Sequence, residues 1–573
     1  GNSGDVLVKS SHGLLLEGNA NILTTTSGVG ASGDVSVVGG NIRLLGSDPN
    51  KSTTIQTYTE SGGNSGDVLV KSSHGLLLEG NANILTTTSG VGASGDVSVV
   101  GGNIRLLGSD PNKSTTIQTY TDSGGNSGSL AVKSFGDFTI KGNANIKTEA
   151  SSAGKAGDIK IVGGNIIINN NPIPSAGAGV RSITSGSSAS GAISIFSINN
   201  ILIKEQYVYD ASSKSYILGG ILTEALNGSS GDAGNISIKS GGSVLLYGLG
   251  KASEPYYERF IHASTLGSIQ SSTFGSASGN VGKIDISAGG SLIADNFLIQ
   301  TNNSSDSTSL AGAISIVAGG DIFMNHANID LRSNGGSQDL AVPSNINIVS
   351  KNLFLTGSST IRSLAYLDNQ TAANIFIKAF NDVNLSGSVI YTFGRDGAKG
   401  GSLTIDASGG VAIYNGAVGS NSYIDSSIPH SLPVPVSVII KSRYTSLYNG
   451  QILAYSGSDP VTVAKAHLII ESDLFPSSNH LNSGYYINGY GYIEDRSYSP
   501  SVYNFIGKVS NAGNDYSFSI SGDLLGINGV LPSLNMPEFE SNTRGNACEA
   551  YRKGALTLDG RGLGNVGFGA FFN

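Results

Sequence analysis

The sequence predicts an all-β protein, a parallel β-helix (a solenoid) of about 15 coils that ends in an irregular, Tyr-rich segment. The first observation behind this prediction is a 62-residue unit that is written twice. Gly1–Gly62 and Gly63–Gly124 differ only at Glu60 against Asp122. The second is a shorter period inside that unit, and the third is strand-like alternation without a persistent helical period. A near-perfect copy also repeats its surface, which favours a scaffold or an adhesive fibre.

The shorter period divides each unit into two coils. The pattern Gly-Asp-Val-x-Val begins the first coil, and related patterns return in steps that alternate between 29 and 33 residues. These coil starts are Gly4, Gly33, Gly66, Gly95, Gly128 and Gly157. We expect the Gly at each coil start to occupy a turn with positive φ, since only Gly adopts that conformation at little cost.

Each coil carries three short segments of alternating apolar residues, which is typical of strands with one buried face. The segments of the first two coils are Val6/Val8, Leu14/Leu16, Ile22/Thr24, Val35/Val37, Ile42/Leu44 and Ile55/Thr57. Parallel strands need a crossover, and here the rest of the coil supplies it. Like residues then stack about 4.8 Å apart. We expect the inward Thr24 and Thr57 to hydrogen-bond along this stack.

The pattern predicts four regions along the chain. Residues 1–124 are the two near-identical double coils, 125–190 a third, diverged copy, and 191–471 irregular coils with insertions near 203–218 and 250–265. The further coil starts are Gly191, Gly234, Gly282, Gly312, Ser344, Ala373, Gly401, Val436 and Ala466. Residues 472–573 form a C-terminal segment that closes the stack. Insertions in a solenoid emerge as loops on one face, where function is often located.

Composition limits the function classes. An apolar fraction of 39% is enough for a core, and a net charge of −8 without a basic stripe excludes a nucleic-acid backbone as partner. No apolar run reaches the length of a membrane-spanning helix. Cys548 is the single cysteine and has no motif partner. Because Gly1 already lies inside the repeat, we expect the chain to be a processed or truncated part of a longer one.

Several apparent motifs are better explained by turns. Gly28–Gly33 and Gly90–Gly95 fit G-x-G-x-x-G, but a dinucleotide site needs a helix next, and each is followed by a predicted strand. His12 and His74 are repeat equivalents two coils apart, roughly 9.6 Å, which one metal ion cannot bridge. We expect solvent-facing turn histidines. No catalytic motif is found, and we assign no catalytic, cofactor-binding or metal-ligating residue.

An acidic ladder is the one feature with a cofactor alternative. Asp5, Asp34, Asp67, Asp96 and Asp158 share one coil position. We expect each carboxylate to satisfy backbone N–H groups of its turn. The alternative is Ca²⁺, which prefers stacked carboxylates. A glycosidase pair at about 5 Å is a further alternative.

The coil pattern Gly-Asp-Val-x-Val, Gly-Asn-Ile-x-Leu and Thr-Ile-x-Thr resembles the repeats of filamentous-haemagglutinin-like exoproteins of bacterial two-partner secretion. Similar patterns recur at Gly157–Ile161 and Ala327–Leu331, so the resemblance covers roughly residues 1–471. The tail Leu556–Leu563 is similar to the end of some such exoproteins. The resemblance implies a right-handed β-helix, export through an outer-membrane partner, an extracellular or cell-surface location, and a role as adhesin or matrix fibre. The N-terminal secretion domain of that family is not in this sequence.

The C-terminal aromatic residues predict a subunit contact. Tyrosines stack on sugar rings or bury against a neighbouring chain, and exposed terminal phenylalanines are adhesive. The residues concerned are Tyr485, Tyr486, Tyr490, Tyr492, Phe568, Phe571 and Phe572. A core for an irregular cap is the alternative use of the tyrosines. If this segment docks on an open coil edge of another copy, head-to-tail contacts generate a filament.

Three functions therefore compete. The first is a secreted structural and adhesive protein that forms or belongs to an extracellular fibre or biofilm matrix, with itself and surface glycans or proteins as partners. The second is a polysaccharide lyase or hydrolase, which requires Asp, Arg and Lys clustered on adjacent coils, beside the insertions that contain Tyr207 or Tyr256. The third is the stalk of a toxin-delivery exoprotein. The repeats show no such cluster, and we expect a non-enzyme.

Overall fold

The computed structural model describes residues 1–47, 51–110, 113–169, 179–205, 208–210, 215–217, 220–226, 229–248, 267–273, 277–303, 312–333, 344–366, 370–394, 398, 400–422, 437–448, 451–456, 466–474, 477–478, 486–488, 491–495, 504–511 and 514–521. Every regular element in these ranges is a β-strand. They accordingly contain no helix long and apolar enough to span a membrane. The strands form a parallel β-solenoid, which confirms the predicted fold class.

The first of two compact parts comprises residues 1–313. Its strands are β1 (Val6–Lys9), β2 (Gly13–Glu17), β3 (Asn21–Thr26), β4 (Val35–Gly46), β5 (Thr53–Thr59), β6 (Val68–Gly80), β7 (Ala82–Thr88), β8 (Val97–Gly101), β9 (Asn103–Gly108), β10 (Thr115–Thr121), β11 (Leu130–Ser134), β12 (Phe138–Gly142), β13 (Ala144–Ala150), β14 (Ile159–Gly163), β15 (Ile166–Asn169), β16 (Gly179–Thr184), β17 (Ile193–Ser197), β18 (Ile201–Glu205), β19 (Val208–Asp210), β20 (Ser215–Ile217), β21 (Gly220–Ala225), β22 (Ile236–Ser240), β23 (Val244–Gly248), β24 (Gly267–Thr273), β25 (Ile284–Ala288), β26 (Leu292–Asp295) and β27 (Phe297–Asn303). Apart from the short β19 and β20, they form successive coils.

Equivalent strands of successive coils pair in parallel and in register. One ladder joins the first strands through Val6, Val35, Val68, Val97, Leu130, Ile159, Ile193, Ile236 and Ile284. A second ladder joins the third strands through Ile22, Ile55, Ile84, Ile117, Ile146, Val180, Ile221, Ile269 and Ile299. Most of these side chains are fully buried. Stacked aliphatic side chains therefore form a continuous core, as the alternation predicts.

The first two predicted strands merge in two coils. β4 runs through both segments of the second coil, and β6 does so in the third. The β4–β6 register shifts between Gly39 and Asn41, so the chain turns its corner at a bulge without leaving the sheet. Both predicted segments of these coils are strands at the predicted positions. The prediction of a break between the two segments was wrong.

The glycines at the coil starts are needed for a different reason from the predicted one. Positive φ occurs instead at glycines such as Gly18, Gly80 and Gly142, so the prediction was wrong. A Cβ atom at Gly95 would lie 2.1 Å from the Gly66 carbonyl oxygen of the preceding coil. At that distance a real side chain clashes with backbone. From Gly33 to Gly312, the glycine coil starts are therefore places where adjacent backbones approach too closely for a side chain.

Thr24 and Thr57 are buried, as predicted, but they do not bond to each other. Each donates instead to the backbone carbonyl of the glycine that begins the next coil, Gly33 and Gly66, at 2.7 and 2.6 Å. The same pairing occurs at Thr86/Gly95, Thr119/Gly128, Thr148/Gly157, Thr223/Gly234 and Thr301/Gly312. The prediction was wrong because the nearest buried acceptor lies across the turn and not along the stack.

The two insertions enter between the second and third strands of their coils. In the first, β19 and β20 form an antiparallel hairpin in which Val208 pairs with Ile217. Tyr207 lies outside the described residues. The second insertion falls between β23 and β24, and residues 249–266, with Tyr256, also lie outside them.

The second part comprises residues 314–573. Its strands are β28 (Ile314–Ala318), β29 (Ile322–Asn325), β30 (Asn328–Ser333), β31 (Asn345–Ser350), β32 (Leu353–Thr356), β33 (Thr360–Ala365), β34 (Asn374–Ala379), β35 (Val383–Ser386), β36 (Val389–Gly394), β37 (Leu403–Ala407), β38 (Gly410–Tyr414), β39 (Ala417–Ser422), β40 (Ser437–Tyr448), β41 (Gln451–Ser456), β42 (Ala466–Leu474), β43 (Ser477–Ser478), β44 (Tyr486–Asn488), β45 (Gly491–Asp495), β46 (Asn504–Asn511) and β47 (Asn514–Ser521). Parallel ladders again stack one coil on the next, for example through Ile329, Ile361, Ile390 and Val418.

The regular coils continue close to the predicted positions up to β42, and β46 and β47 then form an antiparallel pair. The solenoid has about 11 turns, somewhat fewer than the 15 predicted. Cys548 and the segment after residue 521 lie outside the described residues as well.

Candidate functional site

One corner of the first part is held by polar side chains that each bond to the next coil. In the first coil Asn2, Ser3 and Asp5 accept hydrogen bonds of 2.9 Å from three backbone N–H groups of the second. The Asp contact recurs from Asp67 N–H to Asp34 and from Asp96 N–H to Asp67, both 2.8 Å. The acidic ladder therefore does satisfy backbone donors, but those of the next coil and not of its own turn.

Stacking of these carboxylates affects the titration of Asp67. Burial raises the pKa of Asp67 above its ordinary value of 3.8, and the hydrogen bond from the Asp96 N–H lowers it. The charges of Asp96 and Asp34, one coil away on either side, raise it further. Like charges stacked in this way destabilise the ionised form. The ladder thus combines a favourable backbone contact with electrostatic repulsion.

The described residues do not provide a set of ligands for the alternative in which the acidic ladder binds Ca²⁺. They hold no group of three or more His, Cys, Asp or Glu side chains placed to share an ion. Calcium at Asp5, Asp34, Asp67 and Asp96 stays a prediction. His12 and His74 are exposed at equivalent corners of their coils, each within 2.9 Å of the hydroxyl of the preceding serine. His12 lies in a turn, as expected, whereas His74 lies within β6. His262, His430 and His480, and the side chain of His467, lie outside the described residues.

The G-x-G-x-x-G segments are turns. Gly28–Gly33 leads into β4 and Gly90–Gly95 into β8, so no helix N-terminus follows either segment. The predicted contact residues Tyr486 and Tyr492 belong to β44 and β45, but their side chains lie outside the described residues. So do Tyr485, Tyr490, Phe568, Phe571 and Phe572. The subunit contact therefore stays a prediction.

Several charged and polar side chains of the first part lie on the outward face of its third strands. Side chains alternate between core and exterior along a strand, so residues paired in register share one outward row. Lys147 of β13 pairs with Arg181 of β16. Glu224 of β21 pairs with Ser272 of β24 and lies in the adjacent row. We call the outward surface formed by Lys147, Glu149, Arg181, Glu224 and Ser272 the third-strand face.

Lys147 and Arg181 bring two cations to neighbouring coils. Lys147 Nζ forms an ion pair of 2.5 Å with Glu149 Oε2 on its own strand. Arg181 makes no matching pair: its Nε and Nη2 atoms are buried and have no hydrogen-bond partner among the described residues. A buried donor without a partner costs roughly 1–3 kcal/mol. Two of them on one guanidinium call for a physical explanation, such as a bound water or anion.

Glu224 lies beside these cations in a nearly dry environment. It is 7% exposed. Burial raises the pKa of its carboxyl above the ordinary value of 4.5, and the positive charges of Arg181 and Lys147 lower it by less. No ion pair within 4 Å joins Glu224 to either cation in the described structure. A carboxyl group in this setting can act as a hydrogen-bond donor or a general acid.

Burial increases across the third-strand face. The side chains of Lys147 and Glu149 are 28% and 26% exposed, whereas Ser272 is fully buried. The Ser272 hydroxyl also has no hydrogen-bond partner among the described residues. In the next coil the Asn302 carbonyl oxygen is likewise buried and unpartnered. The third-strand face is therefore partly exposed to solvent at Lys147. At Ser272 and Asn302 it is buried and contains polar atoms that lack hydrogen-bond partners among the described residues.

The second part contains a buried ionic cluster on the outward side of its own third strands. Asp330, fully buried, accepts hydrogen bonds of 2.7 Å from Arg362 and 2.6 Å from Arg332. Burial alone would raise the pKa of Asp330, but the two arginines outweigh it and hold the pKa below its ordinary value. Burial raises the pKa of the nearby Tyr366. Here charges are compensated within the protein, in contrast to Arg181.

A separate surface of the second part is apolar. The rings of Phe323 and Phe354 stack with centroids 4.8 Å apart. A cavity of about 240 Å³ lies on a different set of strands, β31, β34 and β37, and is lined by Asn347, Ile348, Val349, Phe376, Ile377, Lys378, Thr404 and Asp406. Phe376 is 41% exposed. The cavity mixes one aromatic ring with amide, hydroxyl and charged groups.

No protein-family model, no curated protein and no solved structure matches this chain. The resemblance to filamentous-haemagglutinin-like exoproteins therefore stays a prediction. Any functional conclusion must rest on the solenoid and on the arrangement of its side chains.

Sequence reasoning missed the third-strand face. Its signal was present, since Lys147 occupies the variable position of the Thr-Ile-x-Thr pattern, and Arg181 and Glu224 occupy outward positions of the next two third strands. The long insertion before β21 hid the alignment, because it moves Glu224 more than 40 residues from Arg181 in the sequence. The enzyme hypothesis expected Asp, Arg and Lys clustered on adjacent coils, and the described residues place Lys147, Arg181 and Glu224 on the third strands of successive coils.

Proposed function

We propose that this chain is a structural and adhesive β-solenoid, secreted to the cell surface, that forms or belongs to an extracellular fibre or biofilm matrix. The observation that carries the proposal is the corner ladder. Ser and Asp side chains of one coil accept N–H bonds from the next, and an Asn does so in every second coil, so the added coils repeat the same few contacts. At about 1 kcal/mol net for each bond, such a ladder stabilises an elongated stack without disulfides.

The proposal includes the partners that the family resemblance suggests. They are further copies of the chain through head-to-tail contacts of the C-terminal aromatic segment, surface glycans or proteins of host or neighbouring cells, and an outer-membrane protein for export. Exposed apolar side chains on the coil exterior, such as Phe135 and Ile198, are 66% and 60% exposed and suit a protein that adheres.

Electron microscopy of the purified chain tests this proposal. Fibres are expected from the full chain, and shorter or no fibres after deletion of residues 564–573. Unchanged fibres after the deletion contradict the head-to-tail role. Compact particles without fibres from the full chain, at all concentrations examined, contradict assembly itself.

A carbohydrate-active enzyme is the second candidate. The observation in its favour is Glu224, a buried carboxyl of raised pKa next to Arg181 and Lys147 on adjacent coils. Release of reducing sugar from acidic polysaccharides by the isolated monomer, abolished by Glu224→Gln but not by Glu60→Gln, would favour the enzyme over the fibre.

A further inference from the structure

The cavity of the second part opens between the outward side chains of β31, β34 and β37. We infer that it binds one ring of a neutral saccharide chain, with the C–H face of the ring on Phe376 and its hydroxyl groups on Asn347, Thr404, Lys378 and Asp406. This inference rests on the proposed function, which includes surface glycans among the partners. It assigns the chemical class of the glycan and the place where it binds.

Six outward side chains from three successive coils form a small grid at this cavity. One row contains Asn347, Phe376 and Thr404, and the next contains Val349, Lys378 and Asp406. Within each row the residues pair in register, and the residues between the rows face the core. At the usual spacings the grid measures roughly 10 Å across the coils and roughly 7 Å along the strands.

The side chains of the grid are accessible, in contrast to the buried end of the third-strand face. Phe376 is 41% exposed, and the other five are exposed or half-buried. The cavity has a volume of about 240 Å³. Pockets for drug-sized ligands measure about 300–1,000 Å³, so this space suits a single ring with the rest of its chain in solvent.

Phe376 provides the aromatic surface of the cavity. It lies between Asn347 and Thr404, which are one coil away on either side. The face of an aromatic ring is weakly negative, and the C–H hydrogens of a pyranose are weakly positive, so the two faces attract each other. An exposed Phe flanked by hydrogen-bonding groups therefore suits a ring that is apolar on one face and polar at its edge.

The polar side chains of the grid are available to a ligand. Asn347, Thr404 and Asp406 make no side-chain hydrogen bond in the described part of the chain. Lys378 Nζ lies 5.8 Å from the centroid of the Phe380 ring and forms no described ion pair with Asp406. An amide, a hydroxyl, an ammonium and a carboxylate together offer donors and acceptors, and sugar hydroxyls need both.

The charges at the cavity favour an uncharged ligand. Its lining contains one cation, Lys378, and one anion, Asp406, which pair in adjacent coils. Lys441 follows Asp406 in the same row but does not line the cavity. A charged group on the ligand would be attracted by one of the two lining charges and repelled by the other. A sugar hydroxyl can instead accept from Lys378 and donate to Asp406.

Saturation-transfer NMR of the purified full chain tests the inference, because it detects weak binding of small ligands. The probes are the neutral tetrasaccharides of β-linked glucose, mannose and N-acetylglucosamine. Tetragalacturonate, the glucosamine tetramer and indole are the acidic, basic and apolar comparisons. Saturable binding of at least one neutral probe is expected, about tenfold tighter than that of any comparison. No binding of a neutral probe, or a comparison that binds equally or more tightly, would overturn the assignment.

Substitutions at Phe376 locate the site. Phe376→Leu keeps an apolar side chain but removes the ring, so the affinity for the neutral probe should fall about tenfold, whereas Phe376→Tyr should retain it. Phe196→Leu is the matched control, since Phe196 is 44% exposed on a first strand of the first part, and it should bind as the unchanged chain does. Undiminished binding by Phe376→Leu refutes the site.

A second variant keeps the test decisive if circular dichroism shows that Phe376→Leu does not fold. Asp406→Ala removes one acceptor for a sugar hydroxyl and should weaken binding about fivefold. Asp285→Ala, an exposed carboxyl on β25, is its control and should leave the affinity unchanged. Equal affinities of Asp406→Ala and the unchanged chain would contradict the assigned contact.

Fibre formation by the same samples separates a failure of this inference from a failure of the proposed function. Phe376→Leu should assemble as the unchanged chain does, because Phe376 belongs neither to the corner ladder nor to the C-terminal aromatic segment. Fibres without binding of any neutral probe contradict the site and leave the structural proposal standing. Binding of a neutral probe without fibres supports the site and contradicts assembly.

Discussion

Thr57 Oγ1 donates a 2.6 Å hydrogen bond to the backbone carbonyl of Gly66, the residue that begins the following coil. The hydroxyl is fully buried and reaches across the turn between a third strand and the next first strand. Because the same Thr and Gly recur in coil after coil, this contact fixes the corner geometry along the first part. The hydrogen bond thus joins the third-strand threonine and the coil-start glycine, two residues that recur in successive coils of the sequence.

Thr57→Val should therefore destabilise the fold. Valine keeps the branched shape, but the buried Gly66 carbonyl loses its hydroxyl donor, at a cost of about 1–3 kcal/mol. Urea unfolding followed by circular dichroism measures the change. Thr25→Val, at an exposed position of β3, is the matched control and should stay within about 0.5 kcal/mol of the unchanged protein. Equal midpoints for the two variants would contradict the structural role of the bond.

Gly95→Ala tests the close approach of backbones at the coil starts. The new Cβ would lie 2.1 Å from the Gly66 carbonyl oxygen, so adjacent coils must separate. We expect a loss of about 1–3 kcal/mol in the free energy of unfolding, as for other overpacked sites. At Gly75 the nearest atom lies 3.5 Å from the added Cβ, an ordinary contact. Gly75→Ala should therefore cost less, and the reverse order would contradict the explanation.

Asp96→Asn should lower the pKa of Asp67. The substitution removes one of the two like charges that raise this pKa and leaves the Asp96 N–H bond to Asp67 in place. The folded-state pKa of Asp67 lies above the unfolded value, so the contribution of Asp67 to stability falls as pH rises through the folded-state pKa. The Asp96→Asn variant should show a smaller loss of stability over this pH range. Carbon NMR titration of labelled aspartates measures the shift. Asp285→Asn, an exposed carboxyl on β25, should leave the Asp67 titration unchanged.

Asp330→Asn should strongly destabilise the second part. It leaves the buried Arg362 without a counter-charge, and breaking a buried ion pair in this way typically costs about 3–5 kcal/mol. Replacing the pair by Asp330→Leu with Arg362→Met should cost less than the single change. Because the folded-state pKa of Asp330 is lowered, its stabilising effect should disappear as pH falls through that pKa. Urea unfolding of the three proteins at neutral and acid pH provides the comparison, and a harmless single change would contradict the role of the pair.

The regular repeats allowed the fold to be predicted. Alternating Val, Ile and Leu at a fixed spacing define which residues face the core, and the observed ladders follow that spacing from Val6 to Ile284. Predictions about individual atoms were less successful. The glycine and threonine of each corner were placed correctly, but the contact that each makes depends on a neighbouring coil.

The repeated pattern by itself determined a parallel solenoid, its core rows and its corners, because the same short-range alternation is enforced in every coil. Only the tertiary structure decided which outward side chains meet. Lys147, Arg181 and Glu224 come together because strands far apart in sequence stack in register, and an insertion of arbitrary length can separate them along the chain without moving them in space. The local sequence pattern thus determines which residues face the core and which face outward. The stacking of the coils determines which outward side chains become neighbours.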